Sequence, residues 1–315
     1  MLVMRQSQME VFEQVATQRF EAGLLEYLQT FFPEQTAALS PAQMNQVLRY
    51  GLQRAESRGL QTERGLYRYL ALMFLLGSGF DEDPQLAWMP PLQPPVPSSE
   101  EAQAPESLQT SSTPATSPEH SKAASPPETP DTRIEAAYTQ AMAFLDRTVG
   151  PNNEFLRQTL SVLRHPQIFE GLPAAPSFGH RVLLLLQSLA PEKYQALNEK
   201  MLHAVVRSGY EAAKRHGVST ELGMMNYLAL AFVLGSGFDQ DPLYPWAAAV
   251  LSDPAMDDPA KKGQALREAA LNYLATCLPA CPRRAEQSAA LLLKPAKPYQ
   301  QIIEEAADVS INSPF

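Results

Sequence analysis

The stretch Leu70–Trp88 reads LALMFLLGSGFDEDPQLAW, and a close copy occurs at Leu228–Trp246 as LALAFVLGSGFDQDPLYPW. The two copies lie 158 residues apart. When sixty residues are aligned without a gap from Gln29 and from Gln187, they are identical at 27 positions. An ungapped match of this length is typical of an internal duplication. The sequence therefore predicts two tandem, similar helical-bundle units, and an all-α fold.

Each copy of the motif has the composition of a buried helix followed by its exit. Tyr69–Leu76 and Tyr227–Leu234 are apolar almost all round, which is typical of a central helix in a bundle. The first glycine after each helix is expected to end it, the second to allow another sharp bend, and the phenylalanine and tryptophan to return to the core. The motif-loop residues, which are structural or bind a partner, are Gly77, Gly79, Phe80, Asp81, Asp83 and Trp88, with Gly235, Gly237, Phe238, Asp239, Asp241 and Trp246.

Helix-start patterns support the same assignment. Ser40-Pro41 is typical of an N-cap followed by proline in the first helical turn. Thr62-Glu63 is expected to open the central helix. No segment has the pattern of a β-strand. The Gly-x-Gly of the motif follows a helix and lacks a third glycine, so it is not a dinucleotide-binding fingerprint.

The composition narrows the class of protein. The chain has 315 residues, which allows two domains, and a net charge of −9 without a basic stripe, which argues against nucleic acid as a partner. Met1–Gln14 has no signal-peptide pattern, and no apolar run of about 18 residues predicts a membrane span. The only two cysteines are Cys277 and Cys281. We expect a cytoplasmic protein with free thiols and no membrane association.

The expected domains are residues 1–150 for helical unit one, 151–282 for helical unit two and 283–315 for a C-terminal tail. Within unit one, Met89–Thr132 is rich in Pro, Ser, Thr, Ala and Glu, a composition that predicts disorder.

The helix that follows this segment decides how the units are divided. Arg133–Val149 resembles Gln264–Leu278, which follows the second motif copy. If each unit ends with such a helix, the disordered segment is an insertion in unit one and the boundary lies near Gly150-Pro151. The alternative is that the segment is a linker, with a boundary near Thr132.

The paired aspartates are the strongest candidates for chemistry. Each motif copy contains a D-x-D sequence, formed by Asp81 and Asp83 in the first copy and by Asp239 and Asp241 in the second. Such a pair of carboxylates could ligate a divalent cation through oxygen. Without further acidic ligands, we favour turn formation and capping before the following proline. We predict no metal, no cofactor and no catalytic residue, because the histidines show no ligand spacing and neither motif serine lies in a nucleophile elbow.

One arginine recurs on the helix before each central helix. Arg49 and Arg207 could each bind the aspartate of their own motif loop and fix the loop to the helix, or could face a partner. We favour the internal salt bridge.

The combined pattern resembles a protein family. Phe32-Pro33-Glu34, Gly59–Gly65 and Tyr69–Trp88, with their counterparts up to Trp246, are similar to small uncharacterised helical proteins of Proteobacteria. Those proteins tend to be encoded beside type VI secretion spike, PAAR-tip and effector genes. The resemblance covers both units, about two thirds of the chain, and this sequence departs from the usual form by its doubling and its Pro-rich insertion. It implies a secretion context rather than a reaction.

The resulting hypothesis is a protein-binding accessory, an adaptor or chaperone for a secretion effector or spike component, and not an enzyme. The doubling suggests a bivalent or pseudo-symmetric binding surface. The alternative is an immunity protein that neutralises a co-encoded toxin, for which the acidic charge would suit a basic nuclease. A metal-dependent enzyme that uses the D-x-D loops is the third hypothesis.

Overall fold

The computed structural model describes residues 6–92 and 129–278, except Pro166 and Asp257. This part of the chain is helical and contains no strand, so the all-α prediction is confirmed. The helices are α1 (Gln6–Phe31), α2 (Pro33–Ala37), α3 (Pro41–Ser57), α4 (Glu63–Leu76), α5 (Pro130–Thr148), α6 (Glu154–Arg164), α7 (Gln167–Glu170), α8 (Phe178–Leu189), α9 (Pro191–Ala196), α10 (Glu199–Arg215), α11 (Glu221–Leu234), α12 (Pro245–Ser252) and α13 (Pro259–Cys277).

Side-chain caps set the starts of the main helices. Ser40 and Gln43 form a reciprocal capping box at the start of α3, followed by Pro41 in the first turn. The hydroxyls of Thr62 and Thr220 accept the backbone N–H three residues later and begin α4 and α11. Each cap satisfies a backbone N–H that has no partner inside its helix.

The described residues up to 150 are called the first half, and those from 151 the second half. The helices of the two halves recur at the spacing of the sequence match. The bounds of α10 are those of α3 shifted by 158 residues, and the bounds of α11 are those of α4 shifted by the same number. The central helices α4 and α11 are buried over most of their length. Gly51 and Gly209 allow the close crossings, because an added Cβ would come within 2.7 Å of Met73 or 2.6 Å of Leu228.

Helix α5 packs against α4 in the first half. Arg68 donates to Glu135 at 2.9 Å, and the Thr62 hydroxyl donates to Asp131. Helix α13 approaches α11 so closely that a Cβ on Gly263 would meet the Cα of Gly223. The last helix of each half therefore covers the central helix of that half.

Two details differ from the sequence predictions. Met89–Leu92 and Thr129–Thr132 were expected to be disordered, but Leu92 is buried and its carbonyl accepts from Arg133, while Thr129 caps α5. Leu92 thus makes an apolar contact that the polar composition around it did not indicate. Residues 93–128, and the predicted tail at 283–315, lie outside the described residues.

Helix α12 was not predicted either. A proline inside a helix breaks it, so Pro245 argues against a helix here. In the structure Pro245 lies in the first turn of α12, where a backbone N–H has no partner within the helix and its absence costs nothing. No helix in the described ranges has the length and apolar character needed to cross a membrane.

Candidate functional site

The C-terminal ends of the two central helices meet where the halves touch. Gly77 and Gly235 have φ of +99° and +111°, a region that favours glycine, and end α4 and α11. A Cβ on Gly77 would lie 3.2 Å from the Leu234 carbonyl oxygen, and one on Gly235 would lie 3.4 Å from the Leu76 carbonyl oxygen. The conformation therefore requires glycine at both positions, and at Gly77 the Leu234 carbonyl also leaves little room for a side chain.

The second aspartate of each D-x-D binds the loop of the opposite half. Asp83 Oδ2 accepts the backbone N–H of Ser236 at 2.8 Å, and Asp83 Oδ1 accepts the Ser236 hydroxyl at 2.7 Å. Asp241 Oδ2 accepts the backbone N–H of Ser78 at 2.7 Å. The two motif loops are thus joined by a reciprocal pair of charge-assisted hydrogen bonds.

The same two carboxylates also cap their own loops. Asp83 Oδ1 accepts the N–H of Gln85 at 2.9 Å, and Asp241 Oδ1 accepts the N–H of Leu243 at 2.8 Å. Burial raises the pKa of Asp241, and the hydrogen bonds from Ser78 and Leu243 oppose that shift. Each carboxylate therefore caps two turns, one of them more than 150 residues away.

The first aspartate of each D-x-D binds within its own half. Asp81 accepts from Arg54 and Arg58 at 2.6 Å each and from the Tyr69 hydroxyl at 3.1 Å. Asp239 lies 2.7 Å from Nε2 of His216. Because Asp81 and Asp239 are almost fully buried, these basic partners offset the cost of removing each carboxylate from water.

The predicted salt bridges from Arg49 and Arg207 are wrong. Both side chains are exposed, and Arg49 donates instead to the carbonyl of Asn45 in its own helix. Positions 54 and 58, one turn apart near the end of α3, face the loop in their place. A signal for this was present, because Arg58 and His216 are counterparts that are both basic and both precede a glycine.

The remaining motif glycines are not required by the backbone. Gly79 and Gly237 do not have positive φ, and an added Cβ would meet nothing within 4 Å. The chain does turn here, since the N–H groups of Glu82 and Gln240 bond to the carbonyls of Gly79 and Gly237, but this turn does not require glycine. Phe80 and Phe238 are buried on the central helices, with ring centroids 4.9 Å and 5.0 Å from those of Tyr69 and Tyr227.

The two tryptophans are half-buried against the last helix of their half. The Trp88 ring lies 5.1 Å from that of Phe144 on α5, and the Trp246 ring lies 5.9 Å from that of Tyr273 on α13. These contacts connect each motif to the helix that covers it.

The carboxylates do not converge as cation ligands. Asp81 and Asp239 face basic side chains, whereas Asp83 and Asp241 face amides of the opposite loop. Among the residues that the structure describes, no group of three or more His, Cys, Asp or Glu side chains could hold a metal ion. The arrangement of the D-x-D loops thus favours capping over metal binding.

A cavity of about 170 Å³ lies between the halves beside the paired loops. Residues near the ends of α4, α5, α11 and α13 form its walls, which are mostly apolar. Lys193 and Gln85 add polar groups, and Lys193 Nζ donates to the Phe232 carbonyl at 2.5 Å. Cys277 also lines the cavity, and burial raises the pKa of its thiol.

An open groove of about 910 Å³ runs over the surface of the second half. It is bounded by the start of α8, one face of α10 and the start of α11. Its lining combines apolar side chains with cationic and ionisable ones: Phe178, Leu183, Val206, Tyr210, Met224, His180, Arg181, His203, Arg207 and Glu221. Sequence periodicity did not indicate this groove, because it arises from three helices brought together by tertiary packing.

Comparisons of this chain with protein-family models, curated proteins and solved structures give no match.

Proposed function

We propose that this chain is a protein-binding accessory of a bacterial type VI secretion system, an adaptor or chaperone that holds an effector or spike component. The secretion context rests on the resemblance carried by Phe32-Pro33-Glu34 and the two motif copies. The observation that carries the binding role is the open groove on the second half.

The groove has the anatomy of a peptide-binding surface. Tyr210 remains 36% exposed, and its ring lies 6.1 Å from that of Phe178 on the opposite wall. Close to the groove, Leu222 is 50% exposed. Exposed aromatic and apolar side chains with a polar rim are typical of protein-binding sites.

The charge of the groove indicates the partner. Its lining holds Arg181 and Arg207 with two histidines, and only one carboxylate, Glu221. Glu221 is paired with Arg181 at 2.6 Å, whereas Arg207 makes no ion pair with any described residue. On a chain of net charge −9, this basic groove fits an acidic segment with large apolar side chains on the partner protein.

The chain is further proposed to be two copies of one helical unit, of which only the second carries this groove chemistry. The positions 158 residues before Arg181, His203 and Tyr210 hold Gly23, Asn45 and Leu52. This difference supports one partner site rather than a bivalent surface. In this account the motif loops are a scaffold that holds the halves together.

The test is affinity purification of the tagged full chain from its own host, with wild type and two charge reversals. Arg207→Glu reverses the charge of the groove rim. Arg49→Glu, at the counterpart position in the first half, is the matched control, because both arginines are exposed on the helix surface. We expect wild type and Arg49→Glu to recover a stoichiometric effector or spike protein, and Arg207→Glu to lose it.

The identity of the recovered protein separates the alternatives. A secretion component that binds wild type and Arg207→Glu equally would contradict the groove as the binding site. Recovery of no secretion component would contradict the accessory role. Recovery of a co-encoded toxin alone would favour the immunity hypothesis.

A further inference from the structure

The cavity between the halves has polar groups at one end that the protein leaves incompletely paired. Gln85 is 1% exposed, and its Oε1 has no hydrogen-bond partner among the described residues. The Lys193 ammonium has three N–H donors, of which one is used by the Phe232 carbonyl. A buried amide oxygen is normally satisfied, so a bound molecule is the expected partner of Gln85 Oε1. Lys193 is half-buried, and its ammonium also lies 5.2 Å from the centroid of the Phe232 ring.

The two polar side chains approach the same helix end from opposite halves. Gln85 Nε2 donates to the Ala231 carbonyl at 2.9 Å, and Lys193 Nζ donates to the adjacent Phe232 carbonyl. Both carbonyls belong to the last turn of α11, and both side chains line the cavity. A donor from the second half and an acceptor-bearing side chain from the first half therefore line the same cavity.

The rest of the cavity is suited to an apolar group. Its walls include Phe144, Leu234, Leu243 and Leu274. An apolar cavity of about 150 Å³ can hold a benzene ring, so the present volume accepts a ligand of about six to ten heavy atoms. Water alone would satisfy the polar end but would gain little from the apolar walls.

We infer that this cavity binds a small monocarboxylic acid that also carries a hydroxyl group. The carboxylate accepts from the Lys193 ammonium, the hydroxyl donates to Gln85 Oε1, and the apolar body contacts the walls. Because the ligand bridges the halves, its binding stabilises their association. This inference is independent of the proposed partner groove, which lies elsewhere on the second half.

The Lys193 and Gln85 side chains are not repeated at the corresponding positions of the other half. The counterpart of Lys193 in the first half is Gln35, and the counterpart of Gln85 in the second half is Leu243. The substitutions Lys193→Gln and Gln85→Leu therefore each install a side chain that the other half already uses at the same position.

The test is titration calorimetry of the full chain with 3-hydroxybenzoate, benzoate and benzyl alcohol. We expect one site per chain, with 3-hydroxybenzoate bound about threefold to tenfold more tightly than benzoate, because of the added hydrogen bond. Lys193→Gln should lower the affinity for both acids by about tenfold or more, since a charge-assisted contact is lost. Gln85→Leu should remove the difference in affinity between 3-hydroxybenzoate and benzoate.

Lys200 is exposed, so the substitution Lys200→Gln is the control and should leave the binding of both acids unchanged. The inference is overturned if neither acid binds at about ten millimolar, or if Lys193→Gln binds as wild type does. Should Lys193→Gln fail to fold, the anomalous signal of 3-bromobenzoate in wild-type crystals decides, because bromine outside the cavity contradicts the assignment. Arg207→Glu should leave acid binding intact, which separates this result from the partner test.

Discussion

Asp83 and Asp241 occupy the same position in two copies of one loop motif, and each accepts a backbone amide of the opposite copy. Asp83 binds the amide of Ser236 at 2.8 Å, and Asp241 binds that of Ser78 at 2.7 Å. The exchange places the most similar stretch of the sequence at the junction of the halves. The motif therefore joins the halves, whereas the proposed partner surface is the groove, which lies elsewhere on the second half.

The motif glycines should differ sharply in their tolerance of a side chain. Gly77→Ala should destabilise the chain by about 2 kcal/mol or more, because φ is positive and the added Cβ meets the Leu234 carbonyl. Gly79→Ala should be neutral or stabilise by less than about 1 kcal/mol, since its conformation and surroundings accept alanine. Urea denaturation of both variants checks this, and equal effects would contradict the assigned roles.

Arg58 fixes the first motif loop together with Arg54. Arg58→Ala should cost about 2 kcal/mol, because buried Asp81 loses one cationic partner but keeps Arg54 and Tyr69. Arg49→Ala should change the free energy of unfolding by no more than about 0.5 kcal/mol, as expected for an exposed site. If Arg49→Ala were the more damaging variant, the sequence-based assignment would stand and the present one would fail.

The tryptophans connect each motif loop to the covering helix. Trp88→Ala and Trp246→Ala should each destabilise by about 3 kcal/mol, the lower end of the usual range for a large core truncation, because both rings are half-buried. Thermal melts measure this. Unchanged melting temperatures together with lost partner binding would instead assign the tryptophans to a binding surface.

The Lys193 ammonium should make stability depend on alkaline pH. Burial lowers the pKa of Lys193 to about 8, although Asp83 opposes the shift. A pKa that is lower in the folded than in the unfolded chain contributes stability at high pH that is lost as pH falls through about 8. Relative to Lys193→Gln, wild type should therefore gain about 1–2 kcal/mol between pH 7 and pH 10, after allowance for partial solvent screening. Urea denaturation at several pH values measures the difference, and no change would contradict the burial of this group.

Local chemistry explains which features the sequence predicted. Ser40, Thr62 and Gly77 act on backbone groups a few residues away, so their neighbours along the chain were sufficient to place helix starts and ends. The pairing of Asp83 with Ser236 joins residues 153 apart, and no pattern within either loop indicates which turn the carboxylate reaches. The cavity and the groove depend in the same way on how the helices come together.

The assignment of Arg49 failed for a physical reason. Identity between the two halves suggests a shared contact, yet Arg49 and Arg207 are exposed. The shared contact is made by Arg58 and His216, which differ in residue type but keep a basic group beside the aspartate. A basic side chain at corresponding positions therefore indicates the contact with the aspartate better than residue identity does.

Hydrogen exchange of the two motif loops measures directly whether each aspartate holds the loop of the opposite half. With mass spectrometry of the full chain, Asp241→Ala should accelerate exchange in the peptide that contains Ser78, and Asp83→Ala should do so in the peptide that contains Ser236. The control Gln240→Ala, an exposed residue between the aspartates of the second motif, should leave both peptides protected. We expect each aspartate substitution to release the loop of the opposite half. Faster exchange confined to the loop that carries the substitution would contradict the reciprocal pairing.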